Sequence, residues 1–188
     1  MSTSDLDFDP HARFAGESYQ DLLDRDSGRV PECLRAQQAP YLGSGSIPVS
    51  HYTSRERFDL ETEHMWLRVW QMACREEEIP NVGDHLIYDV LDKSVLLVRS
   101  APDRIQAYYN VCLHRGRKLV TQAGNKAEFR CPFHGFTWEL NGDFKSCPTP
   151  WDYQHLKDDA LQLPEVKVDT WGGFVFISFD SNAPELSE

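Results

Sequence analysis

Residues 112–135 read CLHRGRKLVTQAGNKAEFRCPFHG, and the two ends of this stretch decide how the chain must fold. One end is Cys112-Leu113-His114-Arg115-Gly116 and the other is Cys131-Pro132-Phe133-His134-Gly135. Each segment carries one Cys and one His and closes on a Gly, the residue that turns a chain sharply at no steric cost. Sixteen residues separate His114 from Cys131. Two thiolates and two imidazoles can hold a zinc ion or a diiron cluster. A zinc finger usually takes its cysteines from one knuckle and its histidines from a helix. Here each loop supplies one of each, which suits a two-metal centre with both sulfurs on one iron and both nitrogens on the other. Zinc and a plain structural role for these residues are the competing readings.

Working outward, the flanking chain reads as β. Leu86–Val90, Ser94–Val98 and Ile105–Tyr109 are short strands, separated by Leu91-Asp92-Lys93 and Ala101-Pro102-Asp103. Phe136–Leu140 and Asp143–Lys145 flank Asn141-Gly142, a strong hairpin signal, and Val166–Val168 and Phe174–Phe179 complete the set. Many short strands with tight turns predict a mainly β fold, an antiparallel sandwich or barrel. Before it, Thr53–Arg75 reads as one helix with Trp66 and Trp70 in the core. The first 48 residues are polar and rich in Asp, Ser, Gly and Pro, and read as an arm and linker.

Composition narrows the function. The net charge of −11 disfavours nucleic acid and anionic membranes as partners. No stretch approaches the roughly 20 apolar residues of a membrane span, and Met1–Asp9 lacks a targeting pattern, so a cytoplasmic protein is expected. Five cysteines, an odd number, argue against a disulfide framework. In an oxidised cluster, two ferric ions, two sulfides and two thiolates sum to zero charge, and neutral histidines then ease reduction relative to a four-cysteine cluster. Such centres span roughly −150 to +300 mV.

At these residues the sequence resembles the Rieske domain family, with its C-x-H, spacer and C-x-x-H pattern. More narrowly, it resembles the N-terminal Rieske domain of ring-hydroxylating, non-haem iron oxygenase large subunits. Ala107–Gly116, Cys131–Trp138, the lead-in through Trp70 and Glu76–Pro80, and Trp171–Phe176 carry the likeness. The resemblance implies a Rieske-type β-sandwich or barrel over 49–182, with a cluster-binding part over about 108–150. Residues 183–188 then begin a linker to a catalytic domain absent from the chain. It implies Cys112, His114, Cys131 and His134 as [2Fe–2S] ligands and no catalytic residue. Single electrons then pass from NAD(P)H, through a reductase or ferredoxin, to a mononuclear Fe(II) in the missing domain, within a homo-oligomer of alpha subunits. That domain's histidine pair, five residues apart, has no match among His11, His51, His64, His85 and His155. A fragment, a truncated product or one part of a split protein is therefore expected. A free-standing Rieske ferredoxin is the alternative, and the 50-residue arm and Trp-rich helix weigh against it.

Three further expectations follow. Respiratory Rieske proteins carry a disulfide beside the cluster, and its positions here are Arg117 and Phe133. Phe136 and Trp138 stand where that group places Ser and Tyr hydroxyls, so the potential should lie low in the range. Arg115, Arg117 and Lys118 form a basic spot for an acidic electron donor, and Ser146–Pro150 covers the cluster from a third side.

Overall fold

The computed structural model describes residues 19–35, 45–154 and 158–187. The chain divides into two compact units, 1–54 and 55–188. In the first, the described elements are short helices: α1 (Tyr19–Asp24), α2 (Glu32–Arg35) and α3 (Ser50–Thr53). The rest of the expected arm, His11 included, lies outside the described residues.

The second unit opens with α4 (Arg55–Glu61) and a π turn over Thr62–Trp66. Here the single helix expected over Thr53–Arg75 gives way to three pieces. Thr62 bonds back through Oγ1 to the Phe58 carbonyl at 2.8 Å, a contact that bends helices. The Leu67 amide then reaches the Thr62 carbonyl at 3.1 Å, five residues back. Gln71 Nε2 closes the turn on the Trp66 carbonyl at 2.6 Å. Beyond it, β1 (Gln71–Arg75) pairs antiparallel with β10 (Phe174–Ser178). Cross-strand pairing overrides the helical preference of Gln, Met and Ala. Trp66 and Trp70 are half-buried rather than core. The Trp70 indole donates to the Pro184 carbonyl at 2.9 Å, and the Lys167 ammonium lies 5.4 Å from its ring centre.

The body is mainly antiparallel β, as expected. Besides β1 and β10 it contains β2 (Asp84–Val90), β3 (Lys93–Ala101), β4 (Arg104–Tyr109), β5 (Gly124–Asn125) and β9 (Glu165–Trp171), ordered β1-β10-β9-β4-β3-β2-β5. A smaller sheet joins β6 (Phe129–Arg130), β7 (Thr137–Trp138) and β8 (Phe144–Ser146). Strand β3 explains the two-layer interior. Its alternate side chains Leu96 and Val98 enter one core, while Val95 and Leu97 enter the other. The first core contains Cys112, Phe129, Cys131, Phe136 and Trp138. Both cysteines are thus seated on a packed base shared by the two sheets.

The Asn141-Gly142 turn forms as expected, with Gly142 at φ +84°. A side chain there would meet the Tyr108 ring at 2.6 Å, so close approach as well as backbone conformation demands Gly. The flanking strands are shorter than expected, because the β7–β8 register shifts between Thr137 and Trp138.

Candidate metal centre

The two Cys–His segments adopt one backbone form twice. The Cys112 amide bonds to the Arg117 carbonyl at 2.7 Å, and the Gly116 amide bonds back to the Cys112 carbonyl at 2.8 Å. In the second loop, the Cys131 amide bonds to the Phe136 carbonyl at 2.8 Å, and the Gly135 amide to the Cys131 carbonyl at 3.0 Å. Gly116 and Gly135 both take φ +74°, a conformation that turns each loop back on its cysteine. Spacing differs by one residue between C-x-H and C-x-x-H, yet the amide pattern is the same.

Separate supports hold each loop. The first follows β4 and is closed by Asn110, which is buried. Its Oδ1 accepts from the Leu119 and Val120 amides at 3.0 and 3.1 Å, and its Nδ2 donates to the Val120 carbonyl at 2.8 Å. Asn110 has no sequence signature of its own. A lone amide at a strand end reads as an ordinary turn residue, and only the buried amides it satisfies reveal its task. The second loop connects β6 to β7. The Ser146–Pro150 loop does reach this side: Pro148 lies so near Gly135 that a side chain on the glycine would sit 2.9 Å from the proline ring.

Together the loops pair donors by kind. Cys112 and Cys131 are buried free thiols in the first core, near enough that Cys131 disfavours the Cys112 thiolate. Burial pushes the Cys112 thiol up, while the amides of His114 and Arg115 favour its thiolate. The His114 and His134 rings lie edge to face, with centres 4.7 Å apart. Among the described residues, no three His, Cys, Asp or Glu side chains surround one ion position. A sulfur pair beside an imidazole pair is the division that two bridged irons require. His114 adds a specific sign: its Nδ1 is buried and unpartnered, while Nε2 lies 3.3 Å from the Tyr153 hydroxyl. A buried ring nitrogen without a partner is costly unless something binds it. The donor set therefore fits a [2Fe–2S] cluster.

A family match to the Rieske [2Fe-2S] domain over residues 69–162, half of the chain, decides the family. The chain belongs to the Rieske [2Fe–2S] domain family. This Rieske chain is 30% identical over 162 residues to the carnitine monooxygenase oxygenase subunit of Escherichia coli (strain K12), covering 85% of its own length and 42% of the relative's. It is 32% identical over 139 residues to the anthranilate 1,2-dioxygenase large subunit of Acinetobacter baylyi, covering 73% and 30%. Among solved structures, a quaternary ammonium Rieske monooxygenase superposes with a TM-score of 0.70 at 28% identity, covering 73% of this chain and 39% of that one. Naphthalene 1,2-dioxygenase gives 0.67 at 33% identity, covering 71% and 31%. The chain thus spans less than half the length of these relatives.

Around the Rieske loops, the other expected residues divide. Phe136 and Trp138 are buried, and the Trp138 indole donates to the Leu161 carbonyl at 2.6 Å, so its N–H is already committed. Lys118 is drawn from the basic spot by Asp89, 2.9 Å away, which leaves Arg115 and Arg117 exposed. Cys147 packs against the first core, and Cys33 is exposed. Cys74 is buried, and desolvation pushes its thiol up to about 12, far from thiolate chemistry at neutral pH.

Proposed function

We propose that Cys112, Cys131, His114 and His134 ligate a Rieske [2Fe–2S] cluster, and that residues 49–182 form the electron-transfer domain of an oxygenase alpha subunit. The pairing of two thiols beside two imidazoles, on loops of matching backbone form, carries this reading. When bound, the cluster accepts and releases one electron at a time. The chain's own residues do the remaining work. The two cysteines anchor the buried side, and the core beneath them keeps water off the sulfurs. The amides of His114 and Arg115 offset thiolate charge at Cys112, and exposed His134 presents its ring edge to solvent or a partner.

The supplying partner in this reading is a ferredoxin or reductase fed ultimately by NAD(P)H, which meets Arg115 and Arg117. The receiving site is a mononuclear iron that no residue of this sequence is assigned to hold. Relatives that are oxygenase subunits favour this role over that of a free-standing carrier. One related monooxygenase structure is described in terms of inter-subunit electron transfer, which favours a homo-oligomer here too. Relatives named for carnitine, glycine betaine and anthranilate share the domain, so the substrate class is broadened from aromatic rings to include quaternary ammonium compounds. No helix among the described residues is long and apolar enough to cross a membrane. That is compatible with work in the cytoplasm.

Ligand variants test the reading. Cys131→Ser and His134→Ala should each lose most iron and acid-labile sulfide, whereas Cys147→Ser and Cys74→Ser should keep both. Full iron and sulfide content in either ligand variant would refute the assignment.

A further inference from the structure

The two cluster-loop histidines have unlike surroundings. His134 is exposed, and among the described aromatic rings it meets His114 and Phe133, with centres 4.7 and 3.8 Å away. His114 is boxed in. Phe136 stacks on it at 4.7 Å with planes 10° apart, and Tyr153 stands edge-on with ring centres 5.5 Å apart. Phe136 and Tyr153 also meet at 5.1 Å, edge to face, so the three rings form one packed group. Tyr153 ends the 3₁₀ turn Pro150–Tyr153, which follows the loop resting on Gly135. A segment remote in sequence from the first loop therefore sets the environment of one imidazole.

We infer that Tyr153 is a positioning and tuning residue for the cluster, whose hydroxyl oxygen accepts a hydrogen bond from His114 Nε2–H. The inference rests on the ligand reading above. The buried, unpartnered nitrogen of His114 is Nδ1, which makes it the atom available to a metal. A neutral imidazole bound through Nδ1 must carry its proton on Nε2, the atom that lies 3.3 Å from the Tyr153 hydroxyl oxygen. Such an acceptor orients the ring and raises its basicity as a ligand. A more basic imidazole stabilises the ferric state, so Tyr153 holds the reduction potential down. Phe136 prevents the ring from tilting away from this bond. The device acts on His114 alone and leaves His134 open to partners. No net bond forms or breaks at Tyr153, and no electron resides on it.

Tyr153→Phe tests the bond, because it keeps the aromatic ring and removes the hydroxyl oxygen. Potentiometric titration of the cluster-loaded variant should show the reduction equilibrium favoured by about threefold to tenfold, the latter corresponding to ~59 mV for one electron. Trp151→Phe, an exposed neighbour in the same turn, should leave the midpoint unchanged. A change under twofold in Tyr153→Phe, a shift the other way, or an equal shift in Trp151→Phe would overturn the role of the hydroxyl. If Tyr153→Phe holds no cluster, hyperfine spectroscopy of 15N-histidine-labelled wild-type protein decides instead. Unequal couplings of the two exchangeable imidazole protons support the inference, and equal couplings defeat it. A wild-type protein with no cluster, or one without histidine nitrogen couplings, signals failure of the ligand assignment itself.

Discussion

Gly116 and Gly135 take the same backbone angle at the same place in two loops, but their neighbourhoods differ. Among the described residues beyond its chain neighbours, no heavy atom lies within 4 Å of where a Gly116 Cβ would sit, whereas a Cβ on Gly135 would lie 2.9 Å from the Pro148 ring. Gly116→Ala therefore bears only the left-handed backbone penalty, about 1–2 kcal/mol. Gly135→Ala adds overpacking against the proline, typically another ~1–3 kcal/mol. Denaturant midpoints of the two variants should rank in that order, and equal midpoints would show that Pro148 yields freely. Both glycines, both cysteines and both histidines are legible in the sequence, because loop chemistry is written into a few adjacent residues. Tyr153 and Asn110 are not, since each acts on a partner brought near only by the fold.

At the scale of elements, Asn110 closes the first loop as a hairpin closes two strands. Asn110→Ala would leave the buried Leu119 and Val120 amides without their acceptor. The expected loss is roughly 2–4 kcal/mol, with faster amide exchange at residues 119 and 120. Exchange unchanged at those two amides would show that the loop holds its return path without the side chain. The long strands were readable from apolar runs bounded by turn residues, and β2, β3 and β4 lie where those runs fall. Three others were not. Strand β1 has helix-forming residues and owes its conformation to pairing with β10. Strands β5 and β6 are two residues long, too short for any alternation to register. The expected helix failed for a related reason: its apolar residues, including Phe58, Leu60, Met65 and Val69, remain substantially exposed and form no core face.

Over the whole molecule, an acidic chain depends on carboxylates that stay ionised. The Asn125 side chain and the Asn81 amide hold Asp84 below the usual carboxylate range at the β2–β5 corner. Ser94 and then Lys118 do the same for Asp89, and the Asn182 amide and then Arg68 for Asp180. Each depressed carboxyl contributes stability that is complete above the unfolded value of about 3.9 and is lost as pH falls through the lower folded value. Thermal midpoints should therefore decline on acidification below about pH 4, and Asp84→Asn should lessen that decline. A steeper decline in the variant would reverse the assigned sign. The same charge balance bears on the proposed electron donor: with Lys118 tied to Asp89, docking at Arg115 and Arg117 predicts a cluster reduction rate that falls as salt screens them, and a salt-independent rate would remove that docking role.

In the proposed reading, two sulfurs and two imidazole nitrogens of this chain hold a pair of bridged irons. Electron paramagnetic resonance of the dithionite-reduced, 15N-histidine-labelled protein tests it most directly, read with iron and sulfide counted per chain. The expected result is two irons and two sulfides, a rhombic signal of low average g, and coupling to two histidine nitrogens. A colourless zinc protein, or a cluster signal without histidine coupling, would contradict it.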